Sequence, residues 1–434
     1  MYLKKPHRNY VGHKMSFLSG LRKVTPLKIP FTGFSEEERY LPPAMDQRAE
    51  MGDIEEDHVR PIAQESDAFN VHGFIDGVQR SVLWEVVKAP NGAKVPLLAG
   101  QIVAGVLWRG ADKIPRQGFR KQWFILAGPF RLMGEDPADV VKQTPEAVLQ
   151  DEFDRDLLKL LRPYGQWIIA DTSCGGISGG GRSIENLYDE GSVRSRAMGR
   201  IALFRQYLEL AILLSIRAAE DRAPGWLNAY KGFVDTSQLP AMHDLRLLVD
   251  GPLLLTYRRR ERLSRILQGA QASQIEKTIL ARTVGVVKGH RLKPKDMEKI
   301  LSLKVGFRSR AYDLTREVEI GGQAVRNDTE PEDDLYPSRH IVTYVRLYDN
   351  PASALSGLVR LDLHRAALDP NRANETGSLV PMEALALDKW AAAVYRERRP
   401  CIQTIRPQPY PITLLEEILH ARLLPSAVIH RLGK

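Results

Sequence analysis

Four apolar runs rich in Val, Ile, Leu and aromatic residues follow one another between residues 71 and 130: VHGFIDG, SVLWEVV, PLLAGQIVAGVLW and RKQWFILAGPF. Runs of this kind, broken by turn residues, read as β-strands. Asn91-Gly92 separates the second from the third and is a strong tight-turn signal, so they predict an antiparallel meander. The first of its strands delivers Asp76 next to a glycine. Downstream, PADVVKQTPEAVLQDEFDRDLLKLLRPYG has a helical pattern, QWIIADTSC a short strand, and SVRSRAMGRIALFRQYLELAILLSIRAAEDR a long helix. HDLRLLVDGPLL predicts a buried strand ending at Asp250, TYRRRERLSRILQGA a basic helix, and TVGVVKGH another apolar strand. HIVTYVRLYDN and SGLVRLDLH pair as a hairpin, and ITLLEEILHARLLP is a helix near the end. Meander, helix, strand, helix, strand is the order of an α/β protein with one mixed sheet flanked by helices.

Composition fixes the class further. The 434 residues are 43% hydrophobic and 26% charged, which excludes disordered, collagenous and coiled-coil chains. Cys174 and Cys401 are too few for a disulfide scaffold or a Cys-rich zinc module, and they fit a reducing compartment. The first twenty residues are basic without an apolar signal-peptide core. Residues 201–216 carry Arg205, Gln206 and Glu209, short of the roughly 20 apolar residues of a membrane span. A soluble, cytoplasmic protein without membrane contact is expected. Residues 1–65, rich in charge and proline, predict an N-terminal arm. Residues 66–108 then form the first part of a core, 109–192 an insertion or subdomain, and 193–434 the remainder.

Two Asp-Gly steps close apolar strands, FIDG at Asp76 and LLVDG at Asp250. On neighbouring strands, with a glutamate from a packed helix, they would give hard oxygen ligands for Mg²⁺ or Mn²⁺. Two-ion phosphoryl chemistry needs such a cluster. The plainer account of each step is turn chemistry. Glu209 sits among leucines, where a carboxylate is expensive unless paired or metal-bound, and Arg205 four residues earlier is its ordinary partner. Glu220 lies close to three turns further along a similar face. His420 falls on a helix with a core-facing stripe, where a lone histidine is usually structural; Tyr410 before Pro411 reads as a helix-entry packing residue. Residues 176–183, GISGGGRS, imitate a phosphate loop with Arg182 where lysine belongs, a poor substitute, so a glycine-rich loop is the better reading.

The charge balance, 62 Lys+Arg against 53 Asp+Glu for a net +9, permits a polyanionic partner. Basic runs follow both apolar strands: Arg258, Arg259, Arg260, Arg262 and Arg265 after the second Asp-Gly step, and Lys288, His290, Arg291, Lys293 and Lys295 after VGVV. Beside a metal cluster they suit a phosphate backbone.

FIDGVQRS, RQYLELAILLSIRA, LLVDGPLLL, VGVVKGH, VTYVRLY…SGLVRLDL and PYP…LLEEILHA occur in an order that resembles the NurA family of nucleases, over about residues 71–423. The resemblance implies a ribonuclease H-like core, Mn²⁺- or Mg²⁺-dependent DNA cleavage, and a dimer or higher homo-oligomer. It also implies a partner, the HerA-type hexameric ATP-driven DNA translocase, in end processing or anti-phage defence. It places metal carboxylates on Asp76, Glu209 and Asp250, an auxiliary tyrosine and histidine on Tyr410 and His420, and a phosphate contact on Lys288. Two ions would then divide the work, one activating water and one stabilising the leaving 3′ oxygen. Departures from the family pattern are Val78 where serine is usual and the 41-position separation of Glu209 and Asp250, which keep Glu220 as a rival. The Tyr410-to-His420 spacing keeps Tyr344 as an alternative tyrosine. A non-catalytic NurA-like DNA-binding subunit is the alternative function.

Overall fold

Two short strands, β1 (Gly52–Asp53) and β2 (Val59–Pro61), precede a meander of long ones: β3 (Gly73–Lys88), β4 (Lys94–Arg109) and β5 (Pro115–Gly128). Then come β6 (Trp167–Asp171), helix α1 (Glu190–Ala218), β7 (Leu247–Asp250), β8 (Thr283–Val287) and the single turn α2 (Met297–Leu301). Strands β9 (Phe307–Ser309), β10 (Tyr312–Asp313), β11 (His340–Arg346) and β12 (Leu358–His364) follow. Helices α3 (Pro381–Arg396), α4 (Tyr410–His420) and α5 (Ser426–Arg431) end the chain. The computed structural model describes residues 52–56, 59–62, 67–88, 94–109, 114–129, 161, 167–172, 190–220, 223–236, 245–253, 276–288, 297–313, 340–349, 355, 357–373, 375, 377–398 and 409–432. Outside them lie Asn91-Gly92, the glycine-rich 176–183, residues 1–51, the expected basic helix with Arg258, Arg259 and Arg260, and the basic run 290–295.

The described strands make one mixed sheet in the order β1-β10-β11-β12-β8-β7-β3-β4-β5-β6, with β9 joining β11 to β2. The pairs β3–β4 and β4–β5 are antiparallel; β3–β7 and β7–β8 are parallel. Strand β4 is buried from Val95 to Trp108, the mark of a central strand covered on both faces. Alternation along the strands sorts the core into two layers. Ile75, Ile102, Ala104, Leu247 and Val249 face α1, meeting Ile201, Leu208 and Ile212. Phe74, Val78, Val103, Leu248, Val284 and Val286 face the other way, toward Leu387 and Trp390 of α3 and Ile412, Leu415 and Leu419 of α4. Among the described residues no helix is long and apolar enough to cross a membrane.

The mixed α/β sheet flanked by helices is as the sequence predicts, with three differences. The runs VHGFIDG and SVLWEVV are one sixteen-residue strand, so Asp76 lies inside β3 and not at a turn. Beyond Trp108, β5 pairs with β4 along most of its length and β6 extends the same sheet. The late part of the expected arm is also in the sheet, where β1 pairs with β10 and β2 with β9. The third and fourth meander runs hid this because β5 is half exposed, polar and basic over its first half, and reads as surface chain.

Candidate active site

Strand β3 outruns its parallel neighbour. Their pairing ends at Ile75↔Val249, so Asp76 and Asp250 stand side by side where β7 stops, while β3 continues with β4 alone. Gly251, with φ 95°, turns the chain away directly after Asp250, as the Asp-Gly step predicts for that strand. Asp76 and Val78 share the face that looks toward α4, and Leu248 and Asp250 share it too. Lys288, just past β8, continues the side of Val284 and Val286.

On that face the charges meet. Lys288 Nζ is 3.0 Å from Asp250 Oδ2 and 3.1 Å from Oε2 of Glu416, which α4 supplies. His420, one turn beyond Glu416, has Nε2 3.7 Å from Glu416 Oε1 and is half exposed at the rim. Asp76 is 1% exposed; its Oδ1 accepts the Gly77 N–H at 2.6 Å. Asp76 Oδ2 and Asp250 Oδ1 are buried without a hydrogen-bond partner among the described residues. Burial, then the nearby Asp250, Glu209 and Glu416 carboxylates, hold Asp76 well above the usual carboxylate range, against the pull of Lys288. Burial raises Asp250 as well, with Lys288 opposing. Burial alone would pull Lys288 down, but Asp250, Glu416 and Asp76 outweigh it and its ammonium is held above the ordinary value.

Glu209 approaches from the other side of the sheet. A Cβ at Gly77 would collide with Glu209 Oε1, so the missing side chain is what lets α1 bring a carboxylate against the backbone of β3. Arg205 fixes it there, donating to Glu209 Oε1 at 2.6 Å and to the Gly77 carbonyl at 2.8 Å on the strand edge that β7 leaves unpaired. An apolar pocket lined by Leu210, Leu213, Val249, Leu253, Ile279 and Leu280 backs Glu209. The ordinary Arg205–Glu209 helix pair is therefore present, and it is tied to the backbone beside Asp76.

Asp76, Asp250 and Lys288 thus come together, with Glu209 behind Gly77. Glu220 is elsewhere, paired with Arg217 and Arg282 at 2.6 Å each. Tyr344 is fully buried in β11 against Tyr312, well within the sheet. Tyr410 opens α4; its backbone N–H donates to the Glu397 carbonyl at 2.7 Å. Six residues separate it from Glu416, about 9 Å along the axis and about a third of a turn off its face. Tyr410 and His420 therefore do not share a direction. Glu416 was missed in the sequence; its signal was its place four residues before His420 and four after core-facing Ile412. Arg258, Arg259 and Arg260 lie outside the described residues.

The donor chemistry fits a hard divalent cation, since carboxylate oxygens prevail and two of them are buried without a partner among the described residues. Among the described residues no three acidic, histidine or cysteine side chains are yet gathered around one point. Lys288 lies between Asp250 and Glu416 instead, and Arg205 is paired with Glu209. In comparisons with known proteins, the chain matches no family model and no curated protein.

Proposed function

We propose that the chain is a Mn²⁺- or Mg²⁺-dependent deoxyribonuclease with a ribonuclease H-like core, resembling the NurA family, and that it works beside a HerA-type DNA translocase as a homo-oligomer. The observation that carries this reading is the pair Asp76 and Asp250 on adjacent parallel strands, each with a buried oxygen lacking a partner among the described residues, next to an ammonium group. Strand order supports it. Three antiparallel strands, β5-β4-β3, continue into parallel β7 and β8, and α1 intervenes in sequence. That is the arrangement a ribonuclease H-like core requires.

A bound divalent ion supplies Lewis acidity at the scissile phosphate. Asp76 and Asp250 would hold it, and the Asp250 side chain, 18% exposed, is the one of the two that reaches solvent. Lys288 offsets phosphate charge as a compact point charge. His420 stands half exposed at the rim, one helical turn beyond Glu416, where it can reach a bound phosphate group. Glu209, locked by Arg205, holds the negative potential behind Asp76.

The test is degradation of linear duplex DNA by the purified full-length protein with Mn²⁺ or Mg²⁺. Asp76→Ala and Asp250→Ala are expected to abolish it while the circular dichroism spectrum stays that of the parent. Full activity in both variants would sink the assignment. The Arg205 lock on Glu209 favours one second reading, a non-catalytic DNA-binding subunit. DNA affinity without cleavage in Mg²⁺, Mn²⁺ and Co²⁺ would establish it.

A further inference from the structure

Two places for a cation lie side by side in this cluster. One is between Asp76 and Asp250, which the β3–β7 register sets next to each other and whose Oδ2 and Oδ1 are buried without a partner among the described residues. The other is between Asp250 and Glu416, and the Lys288 ammonium fills it, 3.0 Å from Asp250 Oδ2 and 3.1 Å from Glu416 Oε2. Asp250 serves both, one oxygen to each. Glu416 comes from α4, across the layer from β8, so the ammonium is gripped by two separate elements. Lysine and its acceptors are mostly withdrawn from water, with side chains 21%, 18% and 16% exposed.

Charge limits what can be added. Glu209 and Arg205 form an ion pair of zero net charge on the far side of Gly77. With its ligands deprotonated, as metal binding requires, the site sets Asp76, Asp250 and Glu416 against Lys288 among the described residues, three negative charges against one positive. One divalent ion brings this set to neutrality. A second would leave it with an excess of two positive charges, or would have to expel an ammonium whose departure breaks two partly buried ion pairs.

Resting on the nuclease reading above, we infer that the site takes a single divalent cation, between Asp76 and Asp250, and that Lys288, held by Glu416, stands where a second ion would otherwise bind. Lys288 then meets the phosphate as a fixed positive charge. Glu416 is a positioning residue acting through Lys288.

Mn²⁺ binding to the full-length protein, counted by calorimetry and by the paramagnetic resonance signal of free Mn²⁺, tests this without any activity measurement. The wild type is expected to bind one ion per chain. Lys288→Met, which keeps the methylene packing and removes the charge, is expected to bind two. Lys288→Met with Glu416→Gln is expected to return to one. Two ions in the wild type overturn the inference; so does a single ion in Lys288→Met, or a second ion that persists in the double variant. No Mn²⁺ bound by the wild type removes the nuclease reading and this inference together, whereas a wild type that binds two ions removes the inference alone. The wild-type count decides the matter even where Lys288→Met does not fold.

Discussion

A side chain at position 77 would have to occupy the space of the Glu209 carboxylate, which Arg205 pins to the Gly77 carbonyl. In Gly77→Ala the carboxylate must therefore move, because the backbone of β3 is held by β4. The extended backbone accepts alanine readily, so the stability loss should be about 1–3 kcal/mol, the usual result of overpacking. If Glu209 sets the potential at Asp76, DNA cleavage in Gly77→Ala should fall as far as in Glu209→Gln. Equal activity in Gly77→Ala and wild type, with the fold confirmed by urea unfolding, would show that Glu209 is a structural pair with Arg205 and nothing more. At this scale the sequence displays Asp76, Glu209, Asp250 and Lys288 but misassigns the reason for Gly77. Asp-Gly resembles a turn whether the glycine supplies a positive φ, as at Gly251, or a gap, as at Gly77. Glu416 shows only the weak local signal of its helical spacing to His420, because Lys288, the group it holds at the site, lies 128 residues away in the chain.

Helix α4 carries Glu416 to the site, and its own start is fixed by another buried charge pair. Glu397, at the end of α3, accepts the Tyr410 N–H on its carbonyl at 2.7 Å. Its carboxylate receives both terminal nitrogens of Arg109 at the end of β4, Nη2 to Oε2 at 2.6 Å. Sheet, α3 and α4 are thus joined at one residue, Glu397, whose side chain is only 4% exposed. Arg109→Ala should cost about 3 kcal/mol, since it strands a buried carboxylate. Arg109→Met with Glu397→Met should recover much of that loss, because no charge is left uncompensated. Equal unfolding midpoints for the single and double variants would contradict the coupling. Element by element, α1, α4, β7, β8 and the β11–β12 hairpin are legible from their apolar runs and flanking residues. Strand β3 is not, since Asp76, Gln79 and Arg80 interrupt its apolar run. Arg80 is satisfied from a distant segment, its Nη1 donating to the Leu424 carbonyl at 2.8 Å.

Across the whole molecule, a net charge of +9 says little, because so many arginines are consumed inside the fold. Arg308 binds Glu55 and Asp388, Arg365 binds Glu383, and Arg217 binds Glu220, all with the guanidinium almost fully buried. Such cations cannot reach a polyanion and hold layers together instead. If the chain binds DNA, one candidate contact is the basic run that follows the site in the chain, beginning at Arg258, eight positions after Asp250. If Arg258, Arg259 and Arg260 touch phosphates, replacing all three by alanine should weaken duplex binding at every sequence alike. The slope of log affinity against log salt should fall by up to about 0.9 for each phosphate no longer neutralised, measured between about 50 and 200 mM salt. Mn²⁺ binding should be untouched, because the carboxylates and Lys288 are not altered. An unchanged slope in the triple variant would remove this run from the DNA path and direct attention to the exposed basic half of β5, at Arg116 and Arg120.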